Sequence, residues 1–179
     1  MKTKTLVLTG ILVLAVAAMV FVFASCDNGG GNGGVGSFTY DGTTYQLSHG
    51  WVEYSGTGNG PHSFDIALFS SDINWDPTTD TGTGTGEAIW IHLYSSTSPI
   101  AEGTYTFAIA PPYIPNIFVD FWVMINYNAE TDVGDLYITE AGTVTITEVG
   151  DSSISLDFDV TLDDGNTATG TWTGDVISY

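Results

Sequence analysis

Residues 154–162 read Ile-Ser-Leu-Asp-Phe-Asp-Val-Thr-Leu, and every second residue is apolar. An extended strand sends those two sets to opposite faces, one onto a core and one into water. Asp163-Asp164-Gly165-Asn166 follows as a turn, with Gly165 suited to positive φ. The chain then alternates again, with Ala168, Gly170, Trp172 and Val176 set against Thr167, Thr169, Thr171, Thr173 and Asp175. This is the pattern of an antiparallel hairpin with one buried face.

The same texture runs from Ser37 to Tyr179. Thr, Tyr, Phe, Val, Ile and Trp recur between clusters of Gly, Asp and Asn, strand formers between turn formers. Strands are expected at 38–40, 44–47, 51–54, 62–70, 87–94, 105–108, 117–127, 135–140 and 143–149, besides the final hairpin. The run at 117–127 (IFVDFWVMINY) is apolar on both faces and should be a central, covered strand. Leu136 and Ile138 should anchor 135–140. The segment 70–87 reads as a long polar loop. The expected fold is all-β: an antiparallel meander of about ten strands, closed as a β-sandwich or a barrel.

The first 25 residues differ in kind. Lys2 and Lys4 precede an uncharged apolar run at 6–24, and Phe23-Ala24-Ser25-Cys26 follows. Charge, apolar stretch and small residues make the layout of an export signal helix. The last four residues resemble the lipobox of bacterial lipoproteins, with Phe23 where Leu is usual. The resemblance implies cleavage before Cys26 and lipid on its sulfur. Cys26 is the only Cys, so no intrachain disulfide forms, and lipidation accounts for the lone thiol. Residues 27–36 (DNGGGNGGVG) read as flexible coil. The expected organisation is therefore a signal at 1–25, a lipidated Cys and tether at 26–36, and one all-β domain at 37–179.

Charge excludes whole classes of function. The formal net charge is −19, and the only Lys and Arg residues are the two in the signal. The rest of the chain carries all 21 acids without a single Lys or Arg. Nucleic-acid binding, which needs cations against phosphates, is excluded. Like charge opposes association between copies, so a monomer is expected.

Phe38-Thr39-Tyr40-Asp41-Gly42-Thr43-Thr44-Tyr45, Gly103-Thr104-Tyr105-Thr106-Phe107, the stretch 138–146 and the closing 162–170 hairpin are similar to segments of small uncharacterised all-β lipoproteins of Bacteroidetes and spirochaetes. That resemblance implies a β-sandwich or calycin-like domain on a lipid anchor and transfers no catalytic residue. The expected location is the cell envelope, at the outer membrane or cell surface rather than the inner membrane, held through the lipid on Cys26.

Candidate sites are few. Asp72, Asp76 and Asp80 form an acidic, oxygen-rich segment of the kind that holds Ca²⁺, without EF-hand spacing. Otherwise no metal site and no cofactor is expected. His49, His62 and His92 are scattered, and His92 is read as a strand-surface residue rather than a ligand. Asp120 is the one acid inside an apolar strand; it would mark a functional site if buried, but a solvent-facing edge position or a hydrogen bond to nearby backbone is favoured. Trp51, Trp75, Trp90 and Tyr113 are the rings that could stack on a sugar face, with core packing as the alternative. No Ser-His-Asp signature stands out. The expected function is a non-enzymatic interaction or structural module. A glycan- or small-ligand-binding domain is the alternative, and a secreted hydrolase a remote one.

Overall fold

The structure is a computed structural model, and it describes residues 33–57, 60–76, 78–109 and 112–178. The signal, Cys26 and most of the tether lie outside the described residues. Among the described residues no helix is long and apolar enough to cross a membrane.

The described residues form ten strands: β1 (Gly33–Tyr40), β2 (Thr43–Thr57), β3 (His62–Phe69), β4 (Ile73–Asp76), β5 (Thr81–Ser95), β6 (Gly103–Phe107), β7 (Ile117–Asn128), β8 (Val133–Val149), β9 (Ser153–Leu162) and β10 (Thr167–Ser178). The all-β expectation holds. The runs β1–β2–β3 and β7–β8–β9–β10 pair antiparallel in sequence order, and β3 bonds β5 over eight residue pairs. With β1 on β10, hydrogen bonding runs through β1, β2, β3, β5, β7, β8, β9 and β10 and returns to β1. Of the two closures read from the sequence, this ring is the barrel. Closure leaves those eight strands without a free edge. β4 pairs only with β5, and β6 is wedged between β7 and β8, parallel to β7.

Inward positions follow the alternation. Ile154, Leu156, Phe158, Val160 and Leu162 are all buried, as are Ala168, Trp172 and Val176 on the return strand. Leu136 and Ile138 depart from expectation. They are 48% and 42% exposed, while Thr139 is buried and Tyr137 packs on the core. The two short strands expected here are one 17-residue strand interrupted by a bulge. Pairing with β9 skips a residue between Thr139 and Ala141, and Gly142 adopts φ +132°. One extra residue reverses the parity of the strand. Tyr137 and Thr139 therefore face inward before the bulge, and Val144 and Ile146 after it.

The segment read as a polar loop is largely a hairpin of β4 and the start of β5. It folds over the outside of the barrel. There Trp51, Ala67, Phe69, Ile73, Ala88 and Tyr127 form a second buried cluster, flanked by Trp75, Trp90 and Met124. The Gly-Thr repeat hid this strand, because glycine is a poor strand former. Space requires it here: a Cβ on Gly82 would lie 2.6 Å from the Trp75 ring, and one on Gly84 2.0 Å from the Asp72 carbonyl. With this cluster on its outer side, β7 is covered on both faces along its second half.

The expected tether also loses residues to the barrel. Gly33–Gly36 belong to β1, and the reason is Trp172. This indole is fully buried, and Gly34, Gly36 and Gly50 open the space it fills. A Cβ on Gly34 would stand 2.1 Å from the indole, and one on Gly36 2.4 Å from the Thr171 carbonyl. At the other end of β1, the Asp41-Gly42 turn has φ of +46° and +72°, the pattern of a tight hairpin turn. Tyr40 then donates from its hydroxyl to Asp164 in the β9–β10 turn at 2.5 Å, tying the two hairpins together.

Gly36→Ala should destabilise the protein by roughly 1–3 kcal/mol, because a backbone carbonyl and a buried indole cannot both withdraw. Chemical denaturation followed by tryptophan fluorescence measures this. An unchanged midpoint would refute the glycine socket.

Candidate functional site

Two places bring polar chemistry together. The first is on the outer face of β3 and β5. Asp65 and His92 are register partners, so their outward side chains meet across one ladder. His92 Nδ1 lies 2.7 Å from Asp65 Oδ1, and His92 Nε2 lies 3.1 Å from the Ser63 hydroxyl. Ser55 donates to the other carboxylate oxygen of Asp65 at 2.6 Å, and Trp90 Nε1–H donates to Oδ1 at 3.3 Å. The side chains of His92 and Asp65 are 23% and 15% exposed, reachable but largely withdrawn from water.

The protonation pattern follows from the contacts. An ionised carboxylate only accepts, so Nδ1 carries a proton. In neutral His92 this leaves Nε2 as the acceptor of the Ser63 O–H. The hydrogen bond to Asp65 raises the His92 pKa above its ordinary 6.5, against burial, with the Asp65 and Asp120 charges adding to the rise. Burial pushes the Asp65 pKa up, but hydrogen bonds from His92 and Ser55 outweigh it and hold the carboxyl below its ordinary value.

Aromatic rings border this group. Tyr94 meets the His92 ring edge-on at 5.2 Å between centroids, and Tyr113 stacks on Tyr94 at 4.8 Å and 7°. Tyr113 belongs to the connection from β6 to β7, where Ile109 and Ile114 are 83% and 54% exposed. Asp120 is half-buried and pairs in register with His92 from the β7 side. It faces outward, from a strand bonded on both sides rather than from an edge.

The second place is one end of the barrel, where β1 begins and the β8–β9 turn lies. A cavity of about 270 Å³ opens there. Val52, Phe64, Ile154 and Val176 form its apolar wall, and Ser98, Asp151 and Ser152 belong to its lining as well. Tyr54 also lines it and shares a 3.0 Å hydrogen bond with His62.

The structure disperses several of the sequence candidates. Among the described residues, no group of three or more His, Cys, Asp or Glu is placed to hold a metal ion. The Asp76 carboxylate instead accepts the Thr78 N–H and the Thr79 hydroxyl, closing the turn after β4. His49 packs on Phe69, and His62 bonds Tyr54, both apart from His92. Trp51 is buried, and Trp75 stacks on Phe69, so these two rings serve the outer cluster rather than an open sugar face. Trp90 and Tyr113 do reach the His92 site. Ser55, Ser63 and Asp65 are the residues the sequence reading missed, and with them a Ser-His-Asp arrangement. The legible signal was their parity: Ser63 and Asp65 both fall on the polar side of a strand whose other side is Phe64 and Ile66. Nothing in the sequence gives the register that brings His92 opposite.

Neither a scan of protein-family models nor searches of curated proteins and of solved structures returned a match for the chain.

The His92–Asp65 pair should make stability depend on pH in two directions. His92, with its raised pKa, contributes fully below 6.5, and that contribution is lost as pH rises through its folded value. Asp65, with its lowered pKa, contributes fully above 3.8, and that contribution is lost as pH falls through its folded value. His92→Gln should therefore cost most in mildly acidic solution, roughly 1–2 kcal/mol, and less on either side. Melting curves of both proteins across pH check this, and the comparison cancels the opposite contribution of His49, whose pKa burial lowers. A difference independent of pH would refute it.

Proposed function

We propose that this chain is a lipid-anchored envelope protein whose barrel binds a small, largely apolar ligand at its mouth. One observation carries the reading: the cavity opens at the end of the barrel where β1 begins. Lipid on Cys26 would fix that end toward a membrane. Six residues, 27–32, lie between Cys26 and Gly33, and the seven chain steps fully extended reach at most about 25 Å. The mouth is then held within that distance of the lipid headgroups, on the side where apolar molecules leave or enter the bilayer.

The cavity constrains the ligand. Its volume lies just under the ~300–1,000 Å³ usual for small-molecule sites, so it suits a small molecule or one end of a longer one. Its wall is aliphatic and aromatic, and its one charged lining residue is Asp151. With no Lys or Arg after the signal, an anionic ligand meets only repulsion. The favoured ligand is therefore neutral or cationic. An interaction module without a ligand was the leading sequence reading; the open, apolar-walled mouth moves the balance to ligand binding.

A neutral solvatochromic dye tests this directly. It should gain fluorescence on binding, and Ser152→Trp, which plugs the rim from an exposed turn, should weaken binding at least about tenfold. Equal binding by the variant, or no binding by the wild type, would overturn the reading.

A further inference from the structure

The outer-face group supports an activity that the mouth cavity does not supply. We propose that Ser63 is an activated nucleophile and that Ser63, His92 and Asp65 together cleave small neutral esters through an acyl-serine intermediate.

The argument begins with atoms. Attack by a serine needs a base on its hydroxyl, and that base needs a partner fixing its tautomer. Here the base is His92 Nε2, 3.1 Å from Ser63 Oγ, and the partner is Asp65, 2.7 Å from Nδ1. The carboxylate is itself immobilised, by Ser55 on one oxygen and by the Trp90 N–H on the other. Hydrogen-bonded support of this kind holds a reacting constellation in place. Serine and aspartate sit two residues apart on β3, and histidine on the neighbouring strand, so a regular ladder fixes all three.

The step balances without an oxidant or a metal. Ser63 Oγ bonds to the ester carbonyl carbon as its proton passes to His92 Nε2. The carbon–oxygen bond to the alcohol breaks, and the alcohol leaves with that proton. Water then attacks the acyl-serine with His92 again as base, releasing a carboxylic acid and restoring the Ser63 hydroxyl. Acceleration is expected from base catalysis, about 10²–10⁴-fold.

The surroundings select the substrate. Asp65 on β3, Glu53 opposite it on β2 and Asp120 on β7 make the field around His92 negative, while Tyr94 and Tyr113 present rings. A neutral ester with a flat or apolar group can lie against those rings. Its carboxylate product is expelled by the same field. The site is separate from the mouth, so either reading can fail alone.

The test uses the full-length protein extracted in mild detergent. A fluorophosphonate probe should add covalently to Ser63, seen by intact mass and peptide mapping, and p-nitrophenyl acetate should be hydrolysed above the buffer rate. Ser63→Ala should abolish labelling, whereas Ser96→Ala, an exposed serine elsewhere, should leave it unchanged. His92→Gln should lower the rate at least 10²-fold. Asp65→Asn should lower it as well, and the wild-type rate should climb with pH as His92 loses its proton, a profile that a purely structural group would not produce. No labelling of the folded wild type, labelling that persists in Ser63→Ala, or a rate indifferent to His92 would each overturn the proposal.

Discussion

Closure of the sheet is the constraint on which the rest of the molecule depends. The β1–β10 and β3–β5 ladders turn a meander into a ring, and every inward side chain then faces the same interior. The described chain has no Lys or Arg, so no Lys–Asp or Arg–Glu pair contributes to holding it. Burial and backbone hydrogen bonding must carry the fold, against repulsion among many acids. Trp172 shows how tightly the two are joined. Its ring fills space that exists only because β1 and β2 present glycine, and β1 is the strand that closes on β10. Its buried Nε1–H has no hydrogen-bond partner among the described residues, a cost accepted for the volume the ring fills.

Alternation made most of this architecture legible. The 154–162 and 167–176 segments fold as their parity requires, and the doubly apolar 117–127 segment gains an outer cover along its second half. Parity failed where the backbone inserts a residue. The bulge before Gly142 reverses the strand holding Leu136 and Ile138, and no local hydrophobic pattern announces it. Glycine misled in both directions. Gly33–Gly36 read as slack and Gly82–Gly86 as loop, yet both are strands in which side chains or carbonyls press too close for a Cβ. The reason lies in residues far away in sequence, Trp172 and Trp75 among them.

The candidate site was less legible for the same kind of reason. A Ser-His-Asp group on a helix or a sharp turn leaves a local motif, but one built across a β-ladder leaves only register. Ser63 and Asp65 are ordinary polar residues of a half-exposed strand until β5 is aligned beside it. The rings singled out for sugar stacking illustrate the converse. Trp51 and Trp75 have the right chemistry, but the β4 hairpin needs a surface to cover, and their apolar area supplies it.

The two faces of this barrel differ in chemistry, and the charge pattern explains why. An interior walled by Val, Ile and Phe favours apolar matter, and the uncompensated acids disfavour anions. The outer face carries acids that no Lys or Arg neutralises, which leaves histidine as the one side chain able to bring positive charge there. Among the described residues, His92 is the histidine with a carboxylate bonded to its ring, and that bond raises its pKa. The His49 pKa falls instead, because burial removes water without supplying an anion. In a protein so depleted of cations, a half-buried imidazole bonded to a carboxylate on one nitrogen and a serine on the other is where acid–base chemistry concentrates. The ladder that holds it is the same β3–β5 pairing that closes the barrel, so the rigidity of the fold and the geometry of the site have one origin.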